Sequence, residues 1–319
     1  MKNVHFLNSS VPLSNVIHQI LLKVLPFFAL ILAAAITTSC KSAPKRTMLI
    51  TSVYNSAYEL ISSANGCILT GDYEKAQNLL DEAYTKAMSI DNYELLVSAC
   101  LSKITLNLSK NPQTQKDIEN AKQQLEIAKT FVPFSTITNR QNSLIALNEV
   151  RIKTCEADEK TDFGTLIQKL QANHSGIKGD VYYEAQFTTA QADIYKAKKD
   201  YAKADELYVE AANLYTKNRY LSEIGITWYK AAQVRSLANK KTAALDALEK
   251  AIYYDRASEN SIALGTDYYA KGIILLKGNP TLQEKQDAKF ALNHSAEIFT
   301  SIKQFNLAKI STQKAEEIK

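Results

Sequence analysis

One short phrase, written three times along the chain, narrows the accessible folds more than any other feature. LTGDYEKAQNLLDEAYTKAM (Leu69–Met88) reads as a turn and a helix start, with Ala76, Leu80, Ala83 and Ala87 on one helical face. KDYAKADELYVEAANLY (Lys199–Tyr215) repeats it: Asp200-Tyr201 stand where Asp72-Tyr73 stood, and Ala204, Tyr208 and Ala211 replace Ala76, Leu80 and Ala83. A looser copy, NKKTAALDALEKAIYYD (Asn239–Asp255), carries Ala244, Leu248 and Ala251. Nine Gly and six Pro in 319 residues leave long stretches without a helix breaker. The class expected from this pattern is all-α.

These residues resemble the tetratricopeptide repeat (TPR), a pair of antiparallel helices joined by a short turn. The family places small residues where the two helices touch. Working back from each turn gives Ala64, Ala99, Ala146, Ala192, Ala232 and Gly272 as the small residue of each first helix, at spacings of 35, 47, 46, 40 and 40. The standard repeat is about 34 residues. The surplus is expected in loops at SKNPQTQ (Ser109–Gln115), FVPFST (Phe131–Thr136), NHSGIKGD (Asn173–Asp180) and KGNPTLQEK (Lys277–Lys285). The match is weakest over 139–171. The resemblance implies a right-handed α-solenoid of about six helix pairs over 51–319, closed by a capping helix at Gln304–Lys319.

The first forty residues have the order of an export signal. Residues 1–23 carry Lys2 and Lys23 but no acid; a thirteen-residue apolar run (Val24–Ile36) and the small polar Thr37, Thr38 and Ser39 follow. A spanning helix needs roughly 20 apolar residues, so a signal peptide over 1–39 is the better reading. The site before Cys40 resembles a bacterial lipobox, although Thr37 stands where that pattern has Leu. The resemblance implies a diacylglyceryl (palmitate-type) chain on Cys40, cleavage just before it, and residues 40–50 as a tether. Each buried methylene of such an anchor contributes about 0.8 kcal/mol. Lys41, Lys45 and Arg46 would favour an anionic surface. The expected location is the bacterial cell envelope, lipid-held and facing the periplasm or the cell surface.

Removing Lys2 and Lys23 from the 38 basic residues leaves 36 against 33 acidic ones, a net charge of +3 after residue 39. That is too small and too evenly spread for a nucleic-acid surface. Cys67, Cys100 and Cys155 form no metal-pair spacing, and buried thiols are a better reading than a Cys67–Cys100 bridge. His174 and His294 lack neighbouring ligands. No phosphate loop, nucleophile elbow or zinc-helix motif is present. The sequence therefore reads as a binding protein rather than an enzyme, with no cofactor called for.

In the TPR family, side chains of each first helix line the concave groove that receives partners. Carried over position by position, the row is Tyr58, Ile61 and Asn65, then Tyr93 and Leu96, and at the far end Tyr229, Gln233, Tyr269 and Ile273. Arg140, Ser143, Leu147, Gln186, Thr189 and Asp193 fall between. The Lys/Asn/Arg set with which some members clamp a terminal carboxylate is not assembled at those positions. Tyrosine is dense late in the chain, 12 of the 17 lying between 182 and 269. A concave, mostly apolar lining of this kind suits a peptide or small molecule. The expected function is an envelope scaffold holding a protein or peptide. The alternative rests on likeness in plan to spirochaete TPR lipoproteins that associate with TRAP-type transporters. It implies a periplasmic solute-binding protein as partner and a hydrophobic small molecule as cargo.

Overall fold

In the computed structural model, residues 51–110 and 112–318 are described. The expected signal peptide (1–39) and the expected tether from Cys40 to residue 50 lie outside them. Among the described residues thirteen α-helices follow one another, with no strand. They are α1 (Ser52–Leu69), α2 (Tyr73–Ser89), α3 (Tyr93–Ser109), α4 (Gln115–Phe131), α5 (Thr138–Cys155), α6 (Phe163–Ala172) and α7 (Val181–Ala197). After these come α8 (Tyr201–Lys217), α9 (Leu221–Leu237), α10 (Lys241–Ala257), α11 (Ser261–Leu275), α12 (Leu282–Ser301) and α13 (Phe305–Glu316). Six pairs, α1α2 to α11α12, stack in order and α13 closes the stack: a TPR-like α-solenoid.

The repeated phrase of the sequence is a repeated turn. At Gly71, Asp91, Lys199, Arg219, Asn239, Glu259 and Lys303 the backbone enters the left-handed region, with φ between 51° and 74°. The following N–H then reaches back five residues, from Asp72 to the Cys67 carbonyl, Asp200 to Tyr195 and Asn260 to Asp255, each at 2.9 Å. This is the Schellman closure, which satisfies helix-end carbonyls. The residue making that bond also starts the next helix. Asn92 accepts from the Leu95 N–H at 2.9 Å and Asp200 from Lys203 at 3.1 Å, caps worth about 1 kcal/mol each. Six of the seven left-handed residues are not glycine, a conformation that costs an L-residue roughly 1–2 kcal/mol. The tight hairpin gained in exchange lets consecutive helices bury their faces.

Longer connections fall where the spacing places them, at 110–114, 132–137 and 173–180. One more, at 156–162, was not anticipated. Thr114 and Thr281 begin their helices with complete capping boxes to Asp117 and Glu284. The Leu282–Lys285 end of the loop expected at Lys277–Lys285 is therefore helix. The weakest pair in sequence, α5α6, has the shortest second helix, ten residues long.

All six small residues picked from the sequence are buried. At Gly272 the need is steric: a methyl group there would lie 2.5 Å from Leu292 Cγ and 3.1 Å from the Ala288 carbonyl. Cys67, Cys100 and Cys155 are free thiols, and burial pushes Cys100 up to about 11. Small rotations between units accumulate along the stack. A methyl group on Gly71, in the first hairpin, would touch Ile262 at the start of α11 at 3.3 Å, so the first and sixth units meet.

Candidate partner-binding groove

The first helices of the pairs, α1, α3, α5, α7, α9 and α11, carry the predicted row. Its first half is largely closed. Ile61 is 7% exposed and Leu96 fully buried, so neither presents a surface to a partner, contrary to the expectation. Ser143 and Leu147 are buried as well. The reason is tertiary: Ile61 and Leu96 sit in one buried cluster shared by α1, α2 and α3, and α3 and α5 bury ten of seventeen and nine of eighteen residues. Tyr58 (61% exposed) and Asn65 stay open to solvent. Tyr93 is half-buried against Phe134 and Phe131, ring centroids 5.1 and 6.2 Å away.

The second half is partly open at every position. Tyr229, Gln233, Tyr269 and Ile273 are all partly exposed. The Tyr229 phenol lies within reach of Gln233 and Tyr269, and burial pushes its pKa up. Gln233 Oε1 accepts from Lys196 Nζ at 2.8 Å, tying α9 to α7. One turn earlier Asp193 does the same, taking both Lys230 Nζ at 2.9 Å and the buried Tyr208 hydroxyl at 2.5 Å. Tyr182 forms the flank, packed on Tyr183, Tyr215 and Tyr220 at 4.9–5.9 Å between ring centres. Across from it, Arg140 covers the Tyr183 ring at 4.9 Å and pairs with Asp180 at 2.7 Å. Tyr58 comes within electrostatic reach of Tyr183.

Arg151, Lys196 and Lys230 are absent from the sequence-derived row. Lys196 stands three residues beyond Asp193 and Arg151 four beyond Leu147, one helical turn further on, so extending the row by a turn reaches both. Behind the open half lies a second feature missed in the sequence. Asp255 (α10) and Asp267 (α11) are 0% and 1% exposed, and three of their four carboxyl oxygens receive no hydrogen bond from any described residue. Gly225 makes the room, since a methyl group there would fall 2.3 Å from Asp255 Oδ1. Burial raises both pKa values, and the Asp255 charge, then Glu249, raise Asp267 further. A proton shared between the two carboxyls is what can join them.

No group of three His, Cys, Asp or Glu side chains suited to a metal occurs among the described residues. The arrangement offers contact area, hydrogen bonds and charge to a ligand.

The architecture defines a class, the TPR-like helical-repeat proteins. Two solved structures share the shape. The apo form of RapI superposes with a TM-score of 0.55 at 14% identity, covering 82% of this chain and 70% of its own. A Rap protein complexed with competence and sporulation factor gives 0.54 at 15%, covering 81% and 70%. At such identities the likeness is one of fold. No protein-family model and no curated protein matches the sequence.

Proposed function

We propose that this chain is a lipid-anchored interaction scaffold of the bacterial envelope, holding a protein or peptide partner along the inner wall of α7, α9 and α11. The observation that carries the reading is the partly exposed run of Tyr229, Gln233, Tyr269 and Ile273. None of these four is buried, whereas Ile61 and Leu96 of the first half are. Aromatic and amide side chains of this kind give large contact at low entropic cost. A Rap protein of the same fold has been captured with competence and sporulation factor, which supports a partner-binding use of such a solenoid. The anchor rests on the residues before Cys40, and the compartment follows from it.

Two measurements test the proposal. The intact mass of protein extracted from membranes of a lipidating host should show a species starting at Cys40 and carrying two or three acyl chains; Cys40→Ser should abolish it. An unlipidated mature species would remove the anchor. A photo-crosslinking residue at Gln233 should then capture one dominant species from the envelope, while the same residue at Tyr253, 67% exposed on α10, should not. Equal capture at both positions would sink the groove assignment.

A further inference from the structure

The charges of the inner wall are not balanced. Three of its cations have acidic partners at bonding distance: Lys103 with Asp81 (2.7 Å), Arg140 with Asp180 (2.7 Å) and Lys230 with Asp193 (2.9 Å). Two have none among the described residues. Arg151 on α5 donates to the Thr105 hydroxyl at 3.2 Å and to Asn148 Oδ1 at 3.1 Å, both neutral. Lys196 on α7 donates to Gln233 Oε1, also neutral. Both are partly buried.

These two cations share one neighbourhood. Cys155, at the end of α5, feels Arg151, Asp193 and Lys230 together, and Lys196 feels Lys230 and Asp193. Arg151 and Lys230 thus both lie near Cys155, and Lys196 and Lys230 near Asp193, whose carboxylate is already occupied by Lys230 and the Tyr208 hydroxyl. Another carboxyl near this wall, Glu223 beside Tyr182 and Tyr215, is pushed toward its neutral form by burial. Desolvation and then Lys230 pull the Lys196 pKa down, so an arriving negative charge would relieve the site. Unpaired cations beside an aromatic flank are complementary to a chain carrying carboxylates.

We propose that the middle of the groove receives an acidic peptide segment, its carboxylates pairing with Arg151 and Lys196 while its backbone lies along the Tyr182–Tyr220 flank. This names the chemistry of the partner and rests on the scaffold reading above.

The test uses the purified full chain in detergent and fluorescein-labelled octaglutamate as probe, with a neutral Gly-Ser octapeptide and inorganic phosphate as competitors. Octaglutamate should bind saturably and weaken as salt rises, because half-exposed ion pairs are screened. The double variant Arg151→Gln, Lys196→Gln should weaken it by about tenfold or more, as expected for two lost charge-assisted contacts. A charge-matched control, Lys289→Gln with Lys309→Gln on the exposed faces of α12 and α13, should bind as the parent does. Thermal melts of each variant separate lost binding from lost folding. Absence of octaglutamate binding, or equal loss in both double variants, overturns the proposal. So does displacement by inorganic phosphate as effective as displacement by unlabelled octaglutamate, which would mark a phosphate site. If the Gln233 crosslink survives in the Arg151→Gln, Lys196→Gln protein, the scaffold reading stands and only the acidic-partner inference falls.

Discussion

Asp267→Asn should stabilise this protein above neutral pH and flatten its pH dependence. Asp255 and Asp267 are buried side by side with no cation at bonding distance among the described residues, so the folded chain holds on to protons there. An unfolded aspartate ionises near pH 3.9. Below that, both states are protonated and the pair costs nothing. As pH rises above it, the unfolded chain releases protons that the folded chain keeps, and stability falls until the raised folded pKa values are passed. The slope is about 1.4 kcal/mol per pH unit for each carboxyl still protonated. The Asp267→Asn change would remove one such proton and supply an amide N–H that can donate to Asp255 as the shared proton does. Between pH 5 and pH 7 the variant should thus lose about 2.7 kcal/mol less than the parent, or about half that if the site relaxes. Glu249, ion-paired to Lys271, and the Tyr229 phenol also face the pair and are unchanged by the substitution. Urea unfolding at several pH values, read by circular dichroism and by Trp228 in the core cluster that spans α7 to α11, gives both slopes. Parallel curves for parent and variant, or a parent that gains stability as pH rises, would refute the reasoning.

Gly272→Ala should destabilise by about 1–3 kcal/mol, because the added methyl meets buried Leu292 and a backbone carbonyl; a denaturant midpoint measures it. Lys199→Gly should raise stability by up to about 1 kcal/mol, since Lys199 sits at φ 65° and glycine does so without strain. Thr281→Ala should cost about 1 kcal/mol by opening the capping box that starts α12, with faster amide exchange over residues 282–285 as its local signature. Tyr229→Ala together with Tyr269→Ala should leave the circular dichroism spectrum intact and abolish partner capture at Gln233. Unchanged capture would mean that these rings only pack.

The helix pairs were legible because their signals are local. A left-handed residue followed by Asp or Asn, and a small side chain every fourth or third position, act within one or two turns. Asp72 and Asp200 could be read before any contact was known. So could the buried positions Ala64, Ala99, Ala192 and Gly272. The open and closed parts of the groove were not legible. Ile61 and Leu96 hold the same register as Tyr229 and Tyr269, yet packing buries the first two and leaves the second two partly exposed.

Sequence alone determined the helical class, the repeat and its register, because helix periodicity and capping depend on neighbours a few residues away. Tertiary structure decided the rest. Small rotations summed over six units bring Gly71 to Ile262 and Tyr58 toward Tyr183. Side chains 12 residues apart at Asp255 and Asp267 meet only because two helices fold back on each other. Arg151 and Lys196 are left without acidic partners among the described residues by that same packing. Such sums depend on every interface along the stack, and no single stretch of residues contains them.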